Sequence, residues 1–246
     1  MLLAVLSDIH ANLEALDACL RHARASGAQR YAFLGDFAGY GPDPEAVVGT
    51  VRRYVDEGAL AVRGNHDEAI EEPRGYMNEQ ATKSIEWQRA QLSSESKSFL
   101  AGLSLCVRSD TLCFVHASAA APERWKYVDS TSEAERSVDA AQRAYTFSGH
   151  VHVQELYFGA RRGRMKLFRP VPGTPVPVSR HRRWLALVGS VGQPRDGNPA
   201  AAYALFDESM AKLAFYRVPY DTRTTAEKIR RSGLPPALAF RIEQGI

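Results

Sequence analysis

Apolar positions along the first hundred residues follow two alternating periods. Leu2–Leu6 is a short unbroken apolar run, the pattern of a strand buried on both faces. Behind it Leu13, Leu16, Leu20 and Ala23 recur at helical spacing, with Asn12 placed to cap the helix and Gly27 to end it. Residues 30–34 predict a second strand. Asp43 and Pro44 then read as the cap and first turn of a helix carrying Val47, Val48, Val51 and Val55, and residues 60–62 as a third strand. Strand, helix, strand, helix, strand predicts right-handed crossovers and a parallel sheet covered by helices.

Helices follow at 78–91 and 94–100, and beyond Leu103 the rhythm changes. Short runs at 103–108, 112–115, 155–158, 165–168, 184–188, 203–206 and 213–218 read as hairpins and meanders, interrupted by a helix at 131–144. Helices at 224–231 and 236–243 close the chain, whose last forty residues carry no chemical motif. There is no internal repeat. The pattern predicts an α/β fold of two mixed β-sheets packed face to face and flanked by helices, with residues 1–246 forming a single domain.

Composition changes this picture little, and charge distribution changes it more. Net charge is only +3, but residues 160–184 hold eight of the 31 basic residues (Arg161, Arg162, Arg164, Lys166, Arg169, Arg180, Arg182 and Arg183) and none of the 28 acids. The rest of the chain is therefore net negative. A solvated hairpin face explains the stretch most simply; a rim for phosphate-bearing substrates or RNA is the alternative, and no interleaved aromatics favour RNA. Pro170, Pro172, Pro175 and Pro177 predict an irregular loop there. Cys19, Cys106 and Cys113 form no CxxC pair and read as buried apolar thiols. Leu2–Leu6 has no basic residue before it and gives way at once to Ser7 and Asp8, unlike a signal peptide or a membrane span. A cytoplasmic protein away from membranes is expected.

The candidate chemistry stands at the strand ends. The first strand runs into Ser7-Asp8-Ile9-His10, the second into Gly35-Asp36, the third into Gly64-Asn65-His66-Asp67, and later ones into Val115-His116 and Gly149-His150-Val151-His152. Strand ends of an open α/β sheet converge on one crevice, so residues far apart in sequence can meet there. Five of the seven histidines occupy such ends; only His22 and His181 do not. Imidazole and carboxylate together suit manganese, iron, zinc or nickel, and the absence of thiols from the set disfavours structural zinc and iron–sulfur clusters. The set is too large for one ion, and two divalent ions bridged by a carboxylate would use it all.

The ordered blocks "SDIHANLEAL", "LGDFAGYGPDP", "RGNHD", "VHAS" and "SGHVH" resemble the signatures of the calcineurin-like metallophosphoesterases. The resemblance implies a four-layer α/β sandwich and a binuclear centre. Asp8, His10, Asp36 and His152 would hold one metal, and Asp36, Asn65, His116 and His150 the other. The metals would be two divalent ions, manganese first, with iron, zinc, nickel or magnesium as alternatives. His66 would be catalytic, acting on the substrate, with Asp67 orienting its ring or merely capping the next segment. Gly64 would allow the tight turn out of the strand. A water activated between the ions would attack phosphorus with no covalent enzyme intermediate, so Ser7 has no nucleophilic role. Arg63 and Arg195 are candidate phosphate contacts.

"GSVGQPRDGNP", residues 189–199, is similar to a Gly-rich segment of small prokaryotic members, and with Tyr40 it would wall the cleft. The Asp-Arg phosphate clamp that phosphoprotein phosphatases and dinucleoside tetraphosphatases show after the second block is replaced here by Gly39-Tyr40. This departure points to the small phosphodiesterase-like branch. Ala11 and Ala117 stand where members more often have Gly, which would narrow the site. Three functions are carried forward: a two-metal phosphodiesterase on small or nucleotide-like substrates, a phosphomonoesterase or protein phosphatase, and a metal-binding scaffold without activity. The expected partner is a small phosphoester substrate; nucleic acid is disfavoured, and a homo-oligomer through the late hairpins is held open by analogy.

Overall fold

The computed structural model describes residues 1–72, 75, 77–161 and 163–246, so Arg162 of the basic stretch lies outside the described residues. The alternation predicted for the first half is present: β1 (Leu2–Leu6), α1 (Leu13–Ala25), β2 (Arg30–Phe33), α2 (Pro44–Asp56), β3 (Leu60–Ala61), then α3 (Asn65–Glu71), α4 (Glu79–Gln91) and α5 (Ser94–Gly102). The second half runs β4 (Cys106–Arg108), β5 (Leu112–Val115), a 3-10 turn (Pro122–Arg124), α6 (Thr131–Ala141), β6 (Tyr145–Ser148), β7 (Gln154–Ala160), β8 (Lys166–Phe168) and β9 (Val176–Pro177). It ends in β10 (Arg182–Val188), β11 (Ala201–Asp207), β12 (Lys212–Val218), α7 (Thr222–Ser232) and α8 (Pro236–Gln244).

These elements build two mixed six-stranded sheets, ordered β3-β2-β1-β11-β12-β9 and β4-β5-β6-β10-β7-β8. Strand parity explains the layers. On β1, Leu3 and Val5 point to the space between the sheets, where they meet Phe114 of β5, Phe147 of β6, Ala186 of β10 and Phe206 of β11. Ala4 and Leu6 point the other way, onto Leu16, Cys19 and Leu20 of α1 and Val47 and Val51 of α2. Sheet two repeats the device, with Leu185 and Leu187 of β10 turned outward onto Ala134 and Val138 of α6. Both faces of the central strands are therefore apolar, which is why their sequences read as continuous runs. Helix, sheet, sheet and helix form the four layers.

Four local differences from the sequence reading have physical causes. α3 was not expected: it is seven residues long, and its first turn is made of the residues read as a strand-end motif. Asp43 was expected to cap α2, but makes no side-chain cap bond; its Oδ2 accepts from Lys228 Nζ at 2.9 Å. α6 stops at Ala141 because Gln142 adopts a left-handed φ of 55°. The proline-rich loop contains a two-residue strand, β9, paired with β12. All three cysteines are free thiols.

The C-terminal forty residues, mute in the sequence, brace the molecule. Lys228 of α7 also pairs with Glu14 of α1, Thr225 Oγ1 donates to Glu14 Oε2 at 2.9 Å, and Leu238, Ala239 and Ile242 of α8 pack with Tyr40 and Ala81. Among the described residues no helix is long and apolar enough to cross a membrane. Phe147 tests the inter-sheet core: it is buried between Phe114 and Phe206, with ring centroids 5.7 and 5.4 Å away. Phe147→Ala is expected to cost about 3 to 5 kcal/mol of stability in chemical denaturation.

Candidate metal centre

The loops after β1 and β2 run side by side at the carboxyl ends of their strands. Asp8 N–H donates to Gly35 O at 3.1 Å, His10 N–H to Asp36 O at 2.8 Å and Ala11 N–H to Phe37 O at 2.7 Å. Asp8, His10, Ala11 and Asp36 have φ between 49 and 54°, and His150 and His152 have φ of 68 and 66°. Left-handed backbone at alternate positions reverses the chain between them, so residues two apart turn their side chains to the same point. β5 and β6 deliver His116, His150 and His152 to that point from sheet two. All of these side chains are buried.

Their ring nitrogens are sorted by the backbone. Backbone carbonyls only accept, so His10 Nδ1 donates to Ala38 O (3.0 Å), His116 Nδ1 to Leu34 O (2.7 Å), His152 Nδ1 to Gln193 O (2.6 Å) and His150 Nε2 to Trp125 O (3.0 Å). In the neutral rings the other nitrogens are bare acceptors, and they face one another. His10 Nε2 lies 3.2 Å from His152 Nε2, and His116 Nε2 lies 3.1 Å from both His150 Nδ1 and Asn65 Oδ1. Asp8 Oδ1 is 3.2 Å from His152 Nε2. Asp36 Oδ2 stands between the two groups, 3.7 Å from His10 Nε2 and 3.3 Å from His116 Nε2.

Acceptors crowded on acceptors repel unless positive charge lies among them. Spacings just above 3 Å are those of neighbouring ligands at about 2.1 Å from a common cation, and a second ring nitrogen donating to a carbonyl is the usual support of a metal-bound imidazole. Three overlapping sets, Asp8/His10/His152, His10/Asp36/His66 and Asp36/His116/His150, each have ligand atoms within 4.8 Å of one another. The two carboxylates draw positive charge to the same point. Burial opposes charging His116, yet Asp36 and Asp8 outweigh it and push its pKa up to about 9, while burial drives His150 down to about 3. Burial also opposes ionisation of Asp8, but His152 and His116 hold its carboxyl well below the usual range. The residues fit divalent metal ions.

His66 sits beside this cluster with Nε2 4.0 Å from Asp36 Oδ2. Burial lowers its pKa to about 4. Its Nδ1 has no hydrogen-bond partner among the described residues and lies over Gly39, where an added Cβ would come within 2.2 Å of it. Gly39, at the place of the absent clamp, is therefore required by contact with the ring. Gly64 also answers to a close approach, since a Cβ there would meet Asp36 Oδ1 at 2.1 Å; its φ of −99° needs no glycine.

Asp67 does not orient His66. Its Oδ2 accepts from Asp36 N–H (2.8 Å) and Gly64 N–H (2.9 Å), and its Oδ1 from Phe37 N–H (2.8 Å) and Ala38 N–H (3.1 Å). The carboxylate caps α3 and staples it to the β2 loop. Arg63 is also elsewhere, donating to Ala101 O at 3.1 Å near the end of α5. Arg195 stays close, its guanidinium 5.8 Å from the centre of the Tyr40 ring. Residues 189–198 back the site: Gly192 N–H donates to Asp8 O, and Ser190 Oγ to the same oxygen at 2.7 Å.

A cleft of about 210 Å³ opens over the cluster, bounded by Tyr40, Asn65, His66, Met77, Trp125 and Tyr127. Tyr40 was expected in this wall; residues 189–198 are absent from it, and the Trp125-Tyr127 wall was missed. Its one sequence signal is an aromatic pair among charged residues in "ERWKY". Also unforeseen were the polar residues of α4 that hold the Gly39–Gly41 turn: Gln88 Oε1 accepts from Gly39 N–H at 2.6 Å, and Ser84 Oγ from Tyr40 N–H at 3.1 Å.

Residues 1–210 match the calcineurin-like phosphoesterase superfamily domain. An uncharacterized protein of Methanocaldococcus jannaschii is 33% identical over 252 residues, spanning 99% of this chain and 98% of that protein. A metallophosphoesterase from Sphaerobacter thermophilus superposes with a TM-score of 0.88 at 32% identity over 100% of both chains. A hypothetical protein from Pyrococcus horikoshii shares the fold, with a TM-score of 0.79 at 18% identity over 100% of this chain and 98% of that one. The staple yields a test. Asp67→Asn turns an amide toward two of the four N–H donors, and is expected to cost about 2 to 4 kcal/mol in denaturant unfolding and to lower bound metal measured by plasma emission.

Proposed function

The chain belongs to the calcineurin-like phosphoesterase superfamily, and from that premise we propose that it is a two-metal phosphoester hydrolase acting on small, nucleotide-like phosphodiesters. The observation that carries the reading is the pair of acceptor groups meeting at Asp36 Oδ2 under a cleft, with His66 at its edge. Asp8, His10, Asp36 and His152 would hold one divalent cation and Asp36, Asn65, His116 and His150 the other, with manganese suited to this balance of imidazole and oxygen. Such a pair supplies Lewis acidity, acidifying water and neutralising charge that develops on the phosphoryl oxygens.

The protein's own groups do the rest. Asn65 contributes a neutral amide oxygen, which limits the negative charge set against an anionic substrate. No group among the described residues claims His66 Nδ1, so the ring proton is free to stand on Nε2, where it donates to a phosphoryl or leaving oxygen. Ser7 is no competitor, because it is buried with its hydroxyl turned toward Leu34 O. Gly39-Tyr40 in place of a cationic clamp favours a diester, whose single negative charge asks for fewer cations than a monoester dianion. The reading takes residues 1–246 as one domain, since α8 packs on Tyr40 of the cleft.

Metal-stripped protein reloaded with Mn²⁺ is expected to hydrolyse bis(p-nitrophenyl) phosphate faster than p-nitrophenyl phosphate. Faster monoester turnover would instead make the protein a phosphomonoesterase, and two bound metals with no turnover of either would leave a scaffold. Two variants separate the roles. His66→Ala is expected to lower kcat on the order of 10² to 10⁴-fold with metal content retained. Asp36→Ala is expected to lose metal, and two ions kept at full occupancy would contradict its bridging place.

A further inference from the structure

The hydrolytic reading uses the floor of the cleft and leaves one wall without a task. Tyr127 is 49% exposed, an unusual setting for a ring that packs so closely on the site. It stacks on His150 with centroids 4.1 Å apart and planes 19° from parallel, and it lines the cleft. The loop that carries it is tied to the centre. Trp125, at a left-handed φ of 50°, gives its carbonyl to His150 Nε2 and its indole N–H to Glu68 Oε2 of α3 at 3.0 Å. Trp125 is buried and lines the same cleft.

Met77, Asn78 and Ala81 line the same cleft. Asn78 spends its Oδ1 capping α4, accepting from Ala81 N–H at 2.9 Å, which leaves its amide N–H groups for a ligand edge. Arg124 stands exposed at the rim with no carboxylate partner among the described residues. An aromatic platform, a thioether, an amide donor and a free guanidinium surround a space of about 210 Å³, enough for one ring system and too little for a folded protein surface.

We infer that this slot seats a planar aromatic group of the substrate, a nucleobase or an aryl ring, on Tyr127 next to the phosphoester. The inference rests on the hydrolase reading above and names its substrate class. Ring stacking is sequence-tolerant and contributes about fivefold to a hundredfold in affinity per stacked base, so Tyr127 sets preference among phosphoesters. The Asn78 amide separates the two sources of the ring, because it can bond the polar edge of a base and has nothing to bond on a phenyl ring.

The test is equilibrium binding by titration calorimetry to Mn²⁺-loaded protein, with adenosine 5′-monophosphate, phenyl phosphate and ribose 5-phosphate as probes. Adenosine 5′-monophosphate is expected to bind at least about fivefold more tightly than ribose 5-phosphate. Tyr127→Leu should erase that difference and Tyr127→Phe should keep it. Phenyl phosphate matching adenosine 5′-monophosphate would assign the slot to aryl esters; phenyl phosphate matching ribose 5-phosphate would assign it to nucleotides. Equal affinity for all three, or a preference that survives Tyr127→Leu, would overturn the inference. Turnover of bis(p-nitrophenyl) phosphate measured in parallel keeps the two readings apart: equal affinities with turnover sink only the slot, and neither binding nor turnover sinks both.

Discussion

The structure turns on a conflict of like atoms. Four imidazoles each give one nitrogen to a backbone carbonyl, which leaves the other an acceptor in the neutral ring, and two carboxylates and an amide oxygen are pressed against these nitrogens at the buried floor of the cleft. Buried acceptors cannot satisfy one another. Everything around them holds this arrangement in place: the paired loops after β1 and β2, the Asp67 carboxylate, the Gly-rich segment behind Asp8, and α4 beneath Gly39 to Gly41. The architecture serves the same end, since two sheets facing each other bring strand ends from both halves of the chain to one place.

Much of this was legible in the sequence because the donor types are rare and their positions regular. Histidines and aspartates directly after apolar runs can be found from hydropathy alone, and the crossover rule places their strand ends together. The layered fold was legible for a related reason, since central strands buried on both faces leave unbroken apolar runs.

What escaped was whatever depends on backbone partners. Asp67 looks like a companion of His66 because the two are adjacent, but its oxygens are taken by four N–H groups, three of them some thirty residues upstream, and amide groups leave no trace in a sequence. Asp43 looks like a cap, and its carboxylate is claimed by Lys228 from the far end of the chain. α3 hides inside a motif whose residues are read for their chemistry. Trp125 and Tyr127 lie in an irregular loop with a left-handed tryptophan, a conformation no propensity scale assigns to that residue. The last forty residues bear no motif because their role is packing, a residue here and there against α1, α2 and Tyr40.

The left-handed backbone at Asp8, His10, Asp36, His150 and His152 has a consequence for how such a chain evolves. Side chains in that region carry a penalty of about 1 to 2 kcal/mol each that glycine escapes. A selection for thermal robustness alone would drift toward glycine or asparagine at these five places and gain from each step. Aspartates and histidines stand at these places instead. Stabilising libraries built on this scaffold should therefore exclude these positions from the start, because the easiest improvements in melting behaviour would dismantle the centre.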